Sequence, residues 1–341
     1  MHDDTETRTL LSGVNWLGDS VMTMPAIHEL KRRQPSTRIA MLSKPSMKQL
    51  WRMNQDIDCV IELPEGLAGT MIAARSVRRM QCGKAYVLTQ SFRSAFVPFM
   101  AGVPARTGMP GHFRDWMLTS VVRPVPTETR YHQVYEYFDL MDMRDITTPT
   151  LPTLNIPPEL TATCLKMIAD HMPGADHRRL IGILPGAAHG PSKRWPSEHF
   201  AQVAASLAME HHCHVAVLGS RQEKDACSLV AAAAGKSGVD FSGKTSLAEL
   251  ATMLSLCRTV IANDSGGMHL STLVRTPVVA IFGLTDPAKT GPIGIGHRVV
   301  AARAVSQSRD IAAESNDASR ALGTVEPDRV LQAAVDILGL K

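Results

Sequence analysis

The stretch VIANDSGGMHLSTLVRTPVVAIFG (residues 260–283) sets two apolar runs on either side of a polar turn. Val260-Ile261-Ala262 and Val278–Phe282 have the composition of strands buried on both faces, as parallel strands covered by helices do. Between them Asn263-Asp264-Ser265-Gly266-Gly267 leads into a short amphipathic segment, MHLSTLVR. Strand, glycine-bearing turn, helix and strand make a βαβ unit. The turn admits two readings. Backbone N–H groups at a helix start are unpaired and carry partial positive charge, so with the Ser265 hydroxyl and His269 in the first turn it suits a phosphate. It equally suits a capped turn whose glycines allow tight packing.

The same alternation runs through the rest of the chain. Strand candidates are TLLSGV (9–14), RIAMLS (38–43), CVIELP (59–64) and KAYVLT (84–89), then LIGILPG (180–186), HVAVLGS (214–220), TVIAN (259–263) and PVVAIFG (277–283). Helical stretches such as AIHELKRRQ and SEHFAQVAASLAMEHH separate them. The pattern predicts an α/β protein with two parallel, doubly wound sheets. The proline-rich segment 147–160, TTPTLPTLNIPPEL, lacks periodicity and reads as the interdomain linker. Domains are expected over 1–155 and 156–325, with a C-terminal surface helix over 326–341. Two α/β halves facing a central cleft would hold a ligand there.

Composition narrows the function. The 341 residues suffice for two cores, and 44% hydrophobic with 20% charged residues is a globular balance. A formal charge of +4 tolerates acidic ligands but lacks the dense basic stripe of a nucleic-acid binder. The start reads as carrying no signal peptide, and no apolar run is long enough for a transmembrane segment. Six scattered cysteines without a C-x-x-C pair indicate reduced thiols and a cytoplasmic protein.

Two further turns resemble the first in kind. In GVNWLGDSVMTMPAIHEL (13–30), Asp19 lies just after a strand and near a helix start. There it serves as an N-cap or, at the carboxyl end of a parallel strand, as a general base, and the two roles can coexist. Pro25 complicates the start of that helix. In LIGILPGAAHGPSKRWPSEHF (180–200), a strand runs into a loop with Gly186 and Gly190, then Lys193 and Arg194, with Ser197 as the next N-cap. Lysine offers a point charge for phosphate, but Pro191 and Ser192 interrupt a Walker A pattern, which disfavours a kinase or ATPase; otherwise the basic pair is a solvated loop. EHHCHV (210–215) straddles a helix end and a strand start and is a poor zinc site. In QSFRSAFVPFMAGVPARTGMPGHFRDW (90–116) the apolar positions read as core, while Arg93, Arg106, Arg114 and His112 meet an anion or face water.

Taken together, VNWLGDSVMTMPAI, SFRSAFVPFMAGVPARTG, PGAAHGPSKRWP, GKTSLAEL and NDSGGMHLSTLVRTPVVAIFGLTDP, in that order, resemble the ADP-heptose:lipopolysaccharide heptosyltransferase family, most closely its heptosyltransferase II branch. The resemblance implies a GT-B glycosyltransferase of two Rossmann-like domains. It further implies an inverting, metal-independent reaction with no cofactor beyond the donor substrate. The donor, ADP-L-glycero-D-manno-heptose, would bind the second domain. The acceptor, the heptosyl–Kdo–lipid A inner core, would bind the first at the inner face of the inner membrane. By the same resemblance Asp19 is the catalytic base and Lys193 the lysine on the donor's phosphate and sugar oxygens. Asp264 fixes sugar hydroxyls, and Ser265, Gly266, Gly267 and His269 form the pyrophosphate turn. Ala187, Ala188 and Ser192 neighbour the phosphates, Gly219 and Ser220 lie beside the adenosine pocket, and Arg93 and Arg106 meet the acceptor.

The segment 304–327 departs from the family in lacking cysteine. Two other function classes compete: a sugar-nucleotide epimerase of the same architecture, as in UDP-GlcNAc 2-epimerases, and a non-catalytic nucleotide-sugar-binding protein. The epimerases continue their Asp-Ser-Gly-Gly turn with Gln-Glu-Glu, whereas here Met268-His269-Leu270 follows.

Overall fold

The β-branched and leucine-rich runs become strands because their side chains, pointing alternately to opposite faces, find helices on both. The computed structural model describes residues 8–303 and 311–340. It resolves into two compact units, the first ending at Asn155 and the second beginning at Ile156.

The first unit runs β1 (Arg8–Ser12), α1 (Leu17–Arg33), β2 (Arg38–Ser43), α2 (Lys48–Met53), β3 (Cys59–Glu62), α3 (Gly66–Met80), β4 (Lys84–Val87), α4 (Phe92–Met100), β5 (Ala105–Gly108), β6 (Ser120–Val121) and α5 (Val134–Leu140). Its sheet has the order β3-β2-β1-β4-β5-β6, all parallel. Leu10, Ala40 and Ala85 join the core beneath α3 and α4, while the intervening Leu11, Ile39 and Met41 are buried on alternate positions. α1 packs with α5 and α3 with α4.

The second unit runs α6 (Pro158–His171), β7 (Leu180–Leu184), α7 (Ser197–Met209), β8 (His214–Val217), α8 (Lys224–Ala233), β9 (Gly238–Asp240), α9 (Leu247–Leu256), β10 (Thr259–Asn263), α10 (Gly266–Leu273), β11 (Val278–Phe282), α11 (Pro287–Thr290), β12 (Arg298–Ala301), α12 (Asn316–Gly323) and α13 (Pro327–Leu338). Its order, β12-β11-β10-β7-β8-β9, repeats that of the first unit. Both are the Rossmann order, in which the strand sequence reverses beside the first strand. The switch points therefore fall between β1 and β4 and between β7 and β10. α13 is not a separate surface element: Val330, Ala333 and Ala334 enter the core of the second unit with Val325 and Leu322.

Several local expectations change. α1 starts at Leu17 with Trp16 as N-cap, so Asp19 is its third residue and not its N-cap. Pro25 lies inside α1 without ending it. Ser197 is the first residue of α7, capped by Pro196 without a side-chain bond. Gly219 and Ser220 follow β8, which ends at Val217. The short strands β5, β6, β9 and β12 were not foreseen. Of the cysteine-free segment 304–327, residues 304–310 lie outside the described residues.

All six cysteines are free, and only Cys59 is not buried. Burial pushes the Cys227 and Cys257 thiols up to about 12 and Cys164 to about 11, and it raises Cys82 and Cys213. A buried, protonated thiol is a poor nucleophile. Native protein titrated with a thiol-reactive disulfide at neutral pH is expected to release the equivalent of Cys59 alone, and of every cysteine after denaturation. Rapid native reaction of several thiols would contradict this packing.

Candidate functional site

At the second unit's switch point two loops meet. One follows β7 through Gly186 and Gly190 into a 3-10 turn, Pro191–Lys193; the other is Asp264-Ser265, between β10 and α10. The fully buried Asn263 joins them. Its Oδ1 accepts from the Trp195 N–H at 3.0 Å, and its Nδ2 donates to the carbonyls of Pro185 (2.8 Å) and Gly186 (3.2 Å). Trp195, itself buried, donates from Nε1 to the Val325 carbonyl.

This stitching brings Lys193 to Asp264, with Nζ 2.6 Å from Oδ2. The Thr285 hydroxyl donates to the same oxygen at 2.8 Å. Asp264 is 5% exposed, so its charge is compensated by a cation and a hydroxyl in a largely desolvated setting. Among the described residues both side-chain donors converge on Oδ2, so Oδ1 keeps its capacity to accept from a ligand hydroxyl.

α10 begins beside this pair. Ser265 is its extended N-cap and makes no side-chain cap bond, so the first-turn N–H groups of Gly266 and Gly267 keep the anion-accepting character of an open helix start. Gly267 has a packing duty: a Cβ there would lie 2.7 Å from Leu184 Cδ1. The tight-packing reading of the turn thus holds at Gly267, while the expected side-chain cap is absent at Ser265. His269 is buried in the first turn. Gly190, at φ 127°, occupies a region open to glycine and brings the loop against Ala313. Ala187 is buried, its carbonyl accepting from Arg194 Nε, while Ala188 is exposed at the loop tip. Ser192 is buried and donates its N–H to the Ala313 carbonyl; among the described residues its Oγ has no hydrogen-bond partner.

Beyond β8 the Ser220 N–H and hydroxyl both bond Glu223 Oε2 at 2.7 Å, closing a capping box. A Cβ on Gly186 would collide with the Glu223 carboxyl, so this acid sits over the ends of β7 and β8. Sequence reasoning missed Glu223, although the S-x-x-E spacing was visible. It also missed Thr285, which the quoted GLTDP contained.

In the first unit Asp19 is half-buried at the carboxyl end of β1. Gln133, buried at the N-cap of α5, donates from Nε2 to Asp19 Oδ1 at 3.4 Å. No sequence signal marked Gln133. Arg93 does not face open solvent: Nε donates to Thr70 Oγ1 at 2.7 Å and Nη2 to the carbonyls of Pro64 and Gly66. Arg106 donates from Nε to the Met117 carbonyl at 2.6 Å and from Nη1 to those of Val103 and Pro104, and it stacks on Phe99. Both guanidinium groups hold loop backbone.

Comparison with known proteins completes the picture. The chain is 29% identical to lipopolysaccharide heptosyltransferase 2 of Escherichia coli K12, over 86% of this chain and 87% of that protein. It is 30% identical to lipooligosaccharide heptosyltransferase 2 of Haemophilus influenzae, covering 83% and 85%. The structure of E. coli ADP-heptose LPS heptosyltransferase II superposes with a TM-score of 0.80 at 26% identity, over 97% of this chain and 98% of that one. A family 9 glycosyltransferase from Veillonella parvula shares the fold with a TM-score of 0.82 over 97% of each chain, at 21% identity. The chain thus has the GT-B-type α/β fold, two Rossmann-like units in one polypeptide. The model of glycosyltransferase family 9 (heptosyltransferase) matches residues 71–318, and the chain belongs to that family.

Proposed function

We propose that this chain moves a heptosyl group from ADP-L-glycero-D-manno-heptose to the heptosyl–Kdo–lipid A inner core of lipopolysaccharide, with inversion at the anomeric carbon. Support comes from the family membership and from relatives named lipopolysaccharide or lipooligosaccharide heptosyltransferase 2 over most of their length. The observation that carries the reading is the Lys193–Asp264–Thr285 cluster beside the open start of α10, at the switch point where Rossmann sheets take nucleotides. An epimerase is not favoured, because the family is a transferase family and Met268-His269-Leu270 replaces the acidic continuation of that turn.

In this reading the acceptor hydroxyl oxygen attacks the anomeric carbon as the bond to the ADP oxygen breaks. Asp19 accepts the hydroxyl proton, positioned by Gln133. The negative charge gathering on the departing diphosphate is met by Lys193 and by the N–H groups of Gly266 and Gly267. These groups supply the charge that a metal would otherwise provide. Asp264 Oδ1 takes a sugar hydroxyl while Thr285 and Lys193 hold Oδ2. Ser265 and His269 complete the pyrophosphate turn, Ala187, Ala188 and Ser192 form the facing loop, and Gly219 and Ser220 border the adenosine with Glu223. Arg93 and Arg106 serve the acceptor by holding the loops it meets. The second unit is thus the donor unit and the first the acceptor unit, and the enzyme works peripherally at the cytoplasmic face of the inner membrane. No helix among the described residues is long and apolar enough to cross a membrane.

Purified protein given ADP-heptose and a truncated lipopolysaccharide acceptor is expected to release ADP only when both are present. Asp19→Asn should retain ADP binding by calorimetry and lower turnover by about 10²- to 10⁴-fold, the usual worth of a general base. Release of UDP from UDP-GlcNAc with none from ADP-heptose would overturn the reading.

The ion pair generates a sharper expectation. Lys193→Ala leaves the Asp264 carboxylate uncompensated beside the diphosphate, so it should weaken ADP binding and lower kcat/KM by about 10²-fold or more. Adding Asp264→Asn removes the repulsion and should restore part of the ADP affinity without restoring turnover. Calorimetry and initial rates on both variants decide; unchanged kinetics for Lys193→Ala would refute its role.

A further inference from the structure

The segment between Glu65 and Asp115 carries seven Lys and Arg residues and no carboxylate, the longest one-signed stretch of the first unit. It forms α3, β4, α4, β5 and the turn after β5. α3 and α4 lie side by side and parallel: Arg93 at the start of α4 reaches Thr70 and Gly66 at the start of α3, and Arg78 near the end of α3 donates to the Met100 carbonyl ending α4. Their inner faces are alanine and valine. On their outer faces Leu67 (75% exposed), Ile72 and Phe92 stand open, with the exposed Arg75, Arg78 and Arg79 beyond them on α3.

The turn after β5 extends this surface and is built to present aromatic rings. Arg114 is fully buried, its guanidinium donating to the carbonyls of Thr89, Ser91 and Met109 and to Ser94 Oγ. That anchor holds its neighbour Phe113 at φ 52°, a left-handed conformation that bulky residues seldom adopt. Phe113 is 77% exposed and Trp116 63%. Trp116 donates its indole N–H to the Phe113 carbonyl at 3.1 Å and stacks edge-on against Phe99, with centroids 5.0 Å apart. Phe96 and Phe99 are rooted in a small core with Met117 and Leu118, so the rim aromatics rest on a rigid base.

We propose that this face, Leu67, Ile72, Phe92, Phe113 and Trp116 with the arginines of α3, docks the protein on an anionic phospholipid bilayer. Exposed Phe and Trp beside arginines match an interfacial surface: rings enter the headgroup–acyl boundary while guanidinium groups meet lipid phosphates. The positive sign of the segment is complementary to such a membrane, and Asp115, the carboxylate between the two rim aromatics, accepts from the Gly111 N–H at 3.0 Å. Leu67, Phe92 and Phe113 lie at or just after strand ends on the edge of the sheet that also carries Asp19, so docking brings that edge toward a lipid-borne acceptor. The inference deepens the peripheral placement proposed above and rests on it.

The test is co-sedimentation of the full chain with vesicles of phosphatidylcholine containing phosphatidylglycerol, and with phosphatidylcholine alone. Turnover on a water-soluble, deacylated acceptor is measured in parallel. Binding is expected on the anionic vesicles, weakening with salt. Phe113→Ser/Trp116→Ser and Arg75→Glu/Arg79→Glu should each lower it about tenfold or more, with soluble-acceptor turnover unchanged. In a Trp16→Phe background Trp116 is the exposed indole, and its emission should shift to the blue on anionic vesicles. Wild-type binding by both double variants, no vesicle binding at all, loss of soluble-acceptor turnover in step with vesicle binding, or sedimentation of a dimer that the variants dissociate would each overturn the proposal. Patch-dependent vesicle binding by a chain inactive on ADP-heptose would instead uphold the docking surface and overturn the proposed reaction.

Discussion

The geometry of the second unit's switch point depends on one buried amide. Asn263 ends β10 with no solvent available, and its side chain bonds the backbone on both flanks of the β7 loop, at Pro185–Gly186 and at Trp195. A buried carbonyl or N–H left without a partner is costly, so each bond holds the loop as firmly as it satisfies the amide. The residues between those two anchors form a closed span that has little choice but to return Lys193 toward the end of β10. An apolar residue at 263 would leave three backbone groups without this partner and release the loop that carries the cation.

What the loop carries is itself a compromise. Placing Lys193 and Asp264 together in a desolvated pocket is rarely a net gain in stability, because the attraction must first offset the lost hydration of both charges. The arrangement is better understood as preorganisation. With Thr285 sharing Asp264 Oδ2, a lysine that would otherwise sample solvent is held where a diphosphate beside the start of α10 would need it. In the proposed reaction an arriving diphosphate would compete for an ammonium already partly dehydrated. Gly267 completes the arrangement by letting the first turn of α10 press on Leu184, which sets the distance from helix to β7.

The fold was legible because its signal is redundant. Each buried strand announced itself as an apolar run, and RIAMLS and TVIAN match β2 and β10 residue for residue. The strands that escaped are short: SV, GVD and RVVA are edge strands with one neighbour, and ARTG, between β4 and the two-residue β6, is only partly buried, so none needs an apolar run. The candidate site was legible where it coincides with a backbone signature: the glycine turn of α10 and the loop that leads to Lys193. It was opaque where a role depends on distant approach. Nothing local to Gln133 ties it to Asp19, 114 positions away in the chain. Helix starts were misjudged where a polar side chain stood ready to cap and the backbone began the helix earlier, as with Asp19 in α1.

The arginines and aromatics of residues 90–116 show why residue type alone misleads. Arginine suggests an anion, yet the donors of Arg93, Arg106 and Arg114 go to backbone carbonyls and hydroxyls that turns leave unpaired. A planar group with five N–H donors is well suited to gathering several carbonyls at once. Phenylalanine suggests core, yet α4 enters the sheet's main core through the small Val97 and Ala101, and Phe96 and Phe99 pack only partly, against Ala95, Met117 and Leu118. Phe92, Phe96 and Phe99 fall at the spacing of the opposite stripe. The buried arginine and the outward aromatic are thus two consequences of one constraint. Along α4 the loop carbonyls are satisfied from within by guanidinium groups, the sheet-facing side is filled by small residues, and Phe92 is left at the surface while Phe96 and Phe99 pack against Met117 and Leu118.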